Sequence, residues 1–323
     1  MSGLQLCEYF YPEYDATWEA AKLCGVERAV MRLPEEPSFD FTNEAHWETV
    51  VNRLNSRGLR PVVLEPLPNR LHDEIKRGGP NAEQCLEQAA KMLRVMDRFH
   101  IRCLCFNFMA GVGWTRTSRT IPERGNARVT GFDLDQFHED TPVLTEQQLW
   151  QNYWHFLKSL LPYAEKYGVR LALHPDDPPV SLLGNTARIM TSYQNIRKAI
   201  DTIPSDFLGV TFCQACYWLM GEDLFQIIPE LKEKIFFIHF RNVRGTRQHF
   251  QETFHDNGCL PMARLMELYY DLGLSVPIRP DHVPVYPGES EGVAGYTALG
   301  KHFALGYLKG LMEEAAVKIE KRG

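Results

Sequence analysis

Short apolar runs alternate along this chain with longer stretches in which apolar positions recur every three or four residues. The first pattern predicts buried β-strands and the second amphipathic helices. Strands are predicted at 4–10, 28–33, 60–64, 101–108, 170–173, 209–212, 235–240 and 276–279. Helices are predicted at 17–24, 44–56 and 81–99, and within 146–167, 192–202, 224–231 and 262–272. The strand runs are apolar through most of their length, as strands buried on both faces of a parallel sheet should be. Eight strands, each followed by helix-length sequence, predict an α/β fold, a closed (β/α)₈ TIM barrel forming one domain over 1–323. A doubly wound sheet is the alternative, but no GxGxxG follows the first strand. Residues 111–145 carry neither pattern and follow the fourth strand. In a barrel they would emerge at the catalytic face, where a lid is expected.

A length of 323 residues suits one such barrel, and 44% hydrophobic residues suffice for its core. The formal charge is -6, from 35 basic and 41 acidic residues. That balance argues against a nucleic-acid partner but leaves room for a local basic site that takes a small anion. No basic segment precedes an apolar run at the start, and no apolar stretch has membrane-spanning length. The 8 cysteines are scattered and read as reduced thiols, so a cytoplasmic location is expected. Cys213 and Cys216 have CxxC spacing, but no second CxxC completes a structural zinc site.

Barrel chemistry collects at the C-terminal ends of the strands. The fifth strand ends in His174, the sixth in Cys213, the seventh in His239 and the eighth in Asp281-His282. Taken singly, the cysteine reads as buried filler, each histidine as a structural hydrogen-bonder and the aspartate as a turn cap. Four successive strand ends bearing imidazole, thiolate, imidazole and carboxylate point instead to one divalent cation. Mn²⁺ or Fe²⁺ suits such mixed ligands with open positions, and Zn²⁺ accepts the same four groups.

Residues 174–179, His-Pro-Asp-Asp-Pro-Pro, resemble the HPDDPP signature of the mannonate dehydratases. The likeness continues at Phe106-Asn107-Phe108-Met109, Trp114-Thr115-Arg116-Thr117, residues 144–150 and Thr211-Phe212-Cys213. It resumes at His239-Phe240-Arg241-Asn242-Val243 and Arg279-Pro280-Asp281-His282. The resemblance implies a (β/α)₈ barrel of the xylose-isomerase-like superfamily and a Mn²⁺-type metal held by His174, Cys213, His239 and Asp281. It implies dehydration of D-mannonate to 2-dehydro-3-deoxy-D-gluconate, with His282 and Tyr296 doing the proton chemistry, and a homo-oligomer, expected to be a dimer. Two positions depart from the family pattern. The first strand ends Glu8-Tyr9-Phe10-Tyr11-Pro12, where the family usually has an Arg-Trp-Tyr-Gly type segment, and Val283 stands where glycine is common.

Dehydrating an aldonic acid requires a base for the proton α to the carboxylate and an acid for the departing hydroxyl. Arg116, Arg241 and Arg279 are the expected substrate anchors, because a guanidinium can bind a carboxylate through two hydrogen bonds. Asn242 and His255 are further candidates, and Asp176 and Asp177 are expected to orient His174. Two rivals stand beside this reading. One is a metal-dependent sugar isomerase or epimerase, for which Glu65 is the only evident glutamate ligand. The other is a sugar-acid sensor without turnover.

Overall fold

The computed structural model describes residues 3–289 and 293–321. The strands are β1 (Gln5–Phe10), β2 (Arg28–Met31), β3 (Arg60–Leu64), β4 (Cys103–Phe106), β5 (Ser118–Pro122), β6 (Arg128–Asp133) and β7 (Arg170–Leu173). They continue as β8 (Leu182–Leu183), β9 (Thr186–Ala187), β10 (Leu208–Cys213), β11 (Ile235–Phe240), β12 (Val243–Thr246), β13 (His249–Glu252) and β14 (Pro277–Pro280). Eight of them close a parallel barrel in the order β1-β14-β11-β10-β7-β4-β3-β2. These are the eight runs predicted from sequence.

Both strand faces are buried, which explains why the runs do not alternate with polar residues. Cys7, Tyr9, Val63, Cys103, Cys105 and Phe237 pack in a cluster separate from the main core. Their neighbours Leu64, Leu104 and Phe106 belong to the larger cluster under the helices. Residues two apart in a strand share a face, so Cys103 and Cys105 fill the lumen while Leu104 and Phe106 hold the outer layer.

Local signals fix the helices. The helix Glu146–Tyr167 starts on a capping box between Thr145 and Gln148 and stops at Gly168, whose φ of 64° suits glycine. Its buried face includes Leu149, Tyr153, Phe156, Leu157 and Leu160, and each buried leucine contributes roughly 2 kcal/mol. Three helices fall outside those predicted: Asn69–Arg77, Gln214–Met220 and Ala298–Glu320. The last packs against Ala16–Leu23 and covers the closure between β14 and β1. No helix among the described residues is long and apolar enough to cross a membrane.

The segment 111–145 is not irregular, as its sequence suggested. It contains β5 and β6, which pair with each other, and β6 continues onto the β12–β13 hairpin to make a four-stranded antiparallel sheet. β5 is largely exposed and has no apolar run, so nothing in its sequence signals a strand until β6 is beside it. This small sheet stands over the C-terminal mouth of the barrel.

Candidate active site

His174, Cys213 and His239 arrive from β7, β10 and β11, which are consecutive around the barrel. One ligand atom of each lies within 4.8 Å of the other two. His174 donates from Nδ1 to the Pro175 carbonyl at 2.6 Å, which leaves Nε2 as the ligand atom; burial opposes a charge on the ring, but the hydrogen bond and charge of Cys213 raise its pKa to about 9. Neither ring nitrogen of the buried His239 has a hydrogen-bond partner. Glu65 Oε1 stands 3.2 Å from its Nε2, unaligned for a hydrogen bond, and Asp281 Oδ2 stands 3.7 Å from its Nδ1. Burial opposes ionisation of Cys213. A hydrogen bond from Cys216, the charge of Arg241 and contacts with His174 and His239 nevertheless hold its thiol well below the ordinary value. A thiolate beside an imidazole with two orphaned nitrogens is a donor set that a divalent cation would satisfy. Asp281 lies at the edge of this group, next to His239, with its oxygens held by Arg279 at 2.9 Å and Arg241 at 3.1 Å.

Two other clusters of potential ligands fit a cation less well. In Glu65–Cys105–His239, burial pushes the Cys105 thiol well above its usual range, and Arg279 holds Glu65 at two points. In Asp177–Glu252–His282, the carboxylates are already neutralised by buried arginines.

Those arginines form a network behind the site. Arg116 binds both oxygens of Asp177, at 2.8 and 2.9 Å, and Glu252 at 2.6 Å. Arg241 donates from Nη1 to Asp177 at 2.8 Å and to Asp281 at 3.1 Å, and its Nε lies 3.3 Å from Glu252. Burial alone would raise these carboxyls. The charges of Arg116 and Arg241 hold Asp177 low; Arg241 and His282 hold Glu252 low. Asp281, buried likewise, is held low by His282, Arg279, His239 and Arg241.

Donor accounting places a proton on His282 Nδ1. Its Nδ1 lies 3.1 Å from Glu252 Oε1 and 3.0 Å from Arg241 Nη1. The two hydrogens of that Nη1 already point to Asp177 and Asp281. A carboxylate only accepts, so Nδ1 carries the proton and donates it to Glu252. Nε2 lies 3.8 Å from Asp281 Oδ1. Tyr296 packs at 5.4 Å from the His282 ring, and Trp114 at 4.9 Å covers another side. Burial and then the charge of Asp281 keep the Tyr296 phenol well above its ordinary pKa, so it holds its proton.

These groups border one cavity of about 420 Å³, lined among others by His174, His239, Asp281, His282 and Tyr296. Arg241 and Arg279 also line it, with Nη1 of Arg241 turned to Asp177 and Asp281 and the Arg279 fork turned to Glu65 and Asp281. Three expected substrate contacts fall outside the lining. Arg116 is locked between Asp177 and Glu252. Asn242 accepts from the backbone of Val243 and Leu260 and donates to the His255 carbonyl, clamping the loop beyond β13. His255 pairs with the Phe240 carbonyl at 2.8 Å. The orienting role expected of Asp176 and Asp177 falls instead to the Pro175 carbonyl; Asp176 accepts from the Met190 backbone.

Sequence reasoning missed Glu252, Tyr9, Tyr11 and Arg32. Arg32 follows β2 directly, so the strand-end rule could have found it. Glu252 sits on β13, outside the barrel strands, and no sequence signal marks it. In place of the arginine expected in the first strand, Glu8 is buried and paired with Lys301 at 3.0 Å.

Residues 8–147 and 135–322 match the family model described as D-mannonate dehydratase (UxuA). Mannonate dehydratase 2 of Halalkalibacterium halodurans is 29% identical over 298 residues, covering 81% of this chain and 84% of its own. A mannonate dehydratase of Oceanobacillus iheyensis is 29% identical over 319 residues, covering 89% and 90%. The crystal structure of mannonate dehydratase from Streptococcus suis serotype2 superposes with a TM-score of 0.90 at 27% identity, over 99% of this chain and 95% of that one. An L-ribulose 3-epimerase structure, at 12% identity and a TM-score of 0.62 over 99% and 98%, shares the barrel fold. With its barrel and nearly its whole length matched, the chain belongs to the D-mannonate dehydratase family of hydro-lyases.

Proposed function

We propose that this protein removes water from D-mannonate, giving 2-dehydro-3-deoxy-D-gluconate, with one Mn²⁺ or Fe²⁺ held by His174, Cys213, His239 and Asp281. The observation that carries this reading is the convergence of His174, Cys213 and His239 within 4.8 Å, with His174 and His239 lining the cavity that His282 and Tyr296 line too. When bound, a divalent cation there would supply Lewis-acid stabilisation of negative charge developing on the sugar acid.

The protein's own groups account for the proton steps. His282, with Nδ1 committed to Glu252, takes the proton from C2 on Nε2. Glu252 accepts the Nδ1 proton throughout and stabilises the imidazolium that results. Tyr296, which holds its phenolic proton, donates it to the hydroxyl leaving C3, so that this oxygen departs as water. Ring centroids 5.4 Å apart suit groups serving neighbouring carbons. The enol that remains becomes the 2-keto product by taking a proton at C3 and giving up its hydroxyl proton. Arg241 and Arg279 anchor Asp281 and Glu65; Arg116 acts behind them, through Asp177 and Glu252. Asn242 and His255 shape the loop beyond β13.

Eight free cysteines support a cytoplasmic setting, and a homodimer is the assembly we take for it. The decisive experiment incubates metal-loaded protein with a panel of aldonic acids and assays 2-keto-3-deoxy products. Product from D-mannonate is expected. No product from any acid, with metal confirmed bound, would overturn the dehydratase reading.

A further inference from the structure

We infer that Arg32 holds the end of the substrate remote from its carboxylate, and so selects sugar acids long enough to reach it. The inference rests on the site being that of a sugar-acid dehydratase. His174, Cys213, His239 and Asp281 occupy one contiguous half of the barrel mouth, on β7, β10, β11 and at the end of β14. In the closed order, β2 lies four strands from β10 in either direction, so Arg32 faces Cys213 across the mouth. A molecule fixed by its carboxylate end in the ligand half must extend towards β1, β2 and β3.

Arg32 is the guanidinium on that side with donors to spare. Of the three guanidiniums lining the cavity, Arg241 gives both Nη1 hydrogens to Asp177 and Asp281, and Arg279 gives Nε and Nη2 to Glu65. Arg32 donates one hydrogen bond, from Nη1 to the Tyr9 hydroxyl at 3.3 Å. Its nearest carboxylate, Glu35, is 3.8 Å away. An arginine carries five N–H donors, so most of this fork is open to the cavity. Lys76, the other cation of the lining, is taken by Asp73 at 2.8 Å.

The fork is also held in place. Its guanidinium lies 5.8 Å from the centre of the Tyr11 ring, and Tyr11 packs on Tyr9 at 5.4 Å, which packs on Tyr296 at 5.4 Å. Arg32 is thus tied through Tyr11 and Tyr9, packed edge to face, to the wall that carries Tyr296. A planar fork with parallel donors matches two neighbouring hydroxyls, such as those at C5 and C6 of a six-carbon aldonate.

The test compares D-mannonate with a four-carbon aldonate that lacks the distal hydroxyls, using metal-loaded wild type, Arg32→Ala and Arg32→Lys. Arg32→Ala should raise KM for D-mannonate about tenfold or more, the loss of a charge-assisted hydrogen bond, with a smaller change in kcat. Its preference for six carbons over four should fall by the same factor, and Arg32→Lys should recover part of it. An unchanged preference, or equal losses on both acids, would overturn the inference. Calorimetric binding of both acids separates this from the dehydratase reading. If wild type binds D-mannonate without turnover, that reading fails, while a tenfold loss of binding preference in Arg32→Ala still upholds the role of Arg32. Should Arg32→Ala not fold, Arg32→Gln takes its place in the same comparison.

Discussion

Glu252 Oε1 accepts the Nδ1 proton of His282 at 3.1 Å, across an interface between the small antiparallel sheet and the barrel. The contact joins a residue on β13 to one just past β14, so the proton position on a catalytic candidate depends on how an auxiliary hairpin docks. Glu252→Gln should lower kcat roughly 10- to 100-fold, as loss of an orienting carboxylate commonly does, with KM little changed. Steady-state kinetics beside metal analysis check it. A fall in bound metal that accounts for the lost activity would show that Glu252 acts on the ligand set rather than on His282.

Cys213→Ala and His239→Ala should each sharply reduce bound metal and activity, because each removes one donor from a set that lies within 4.8 Å. Elemental analysis after gel filtration gives the stoichiometry. Full occupancy in both variants would sink the ligand assignment.

Arg116→Ala should cost about 3–5 kcal/mol of stability, since it strands Asp177 and Glu252 as buried charges short of a partner. The loss should be local first. Amide exchange in β5 and β6 should accelerate more than in the barrel strands, and equal acceleration everywhere would contradict the pinning of this sheet by Arg116.

Stability should fall on mild acidification because two histidines are buried neutral. Burial holds His72 well below its usual pKa and lowers His255 to about 4. In the unfolded chain both protonate near the ordinary value of about 6.5. The unfolded state therefore binds more protons below that pH, and the stability these groups contribute at pH 7.5 drains away as pH falls towards 4. Urea midpoints at pH 7.5 and 5 measure the slope. His72→Phe, whose ring would sit among Phe106, Phe108 and Phe156, should flatten it; an unchanged slope would remove His72 from the account.

The sequence by itself determined the barrel and the rim. Eight apolar runs appear as eight barrel strands because a strand covered by helices outside and side chains inside has nowhere to place polar residues. His174, Cys213 and His239 were legible because a strand end has a fixed height and direction in such a barrel, so position in the chain translates directly into position in space. Tertiary structure decided the rest. Whether Arg116, Arg241 and Arg279 face substrate or a buried carboxylate depends on what stands opposite them, and Asp177, Glu252 and Glu65 come from distant segments. The sheet β12-β13-β6-β5 exists only when 118–133 meets 243–252, a pairing that no local pattern encodes. Local periodicity reports burial, which is a property of one segment. Hydrogen-bond and charge partnerships belong to pairs of segments, and only the closed fold brings those pairs together.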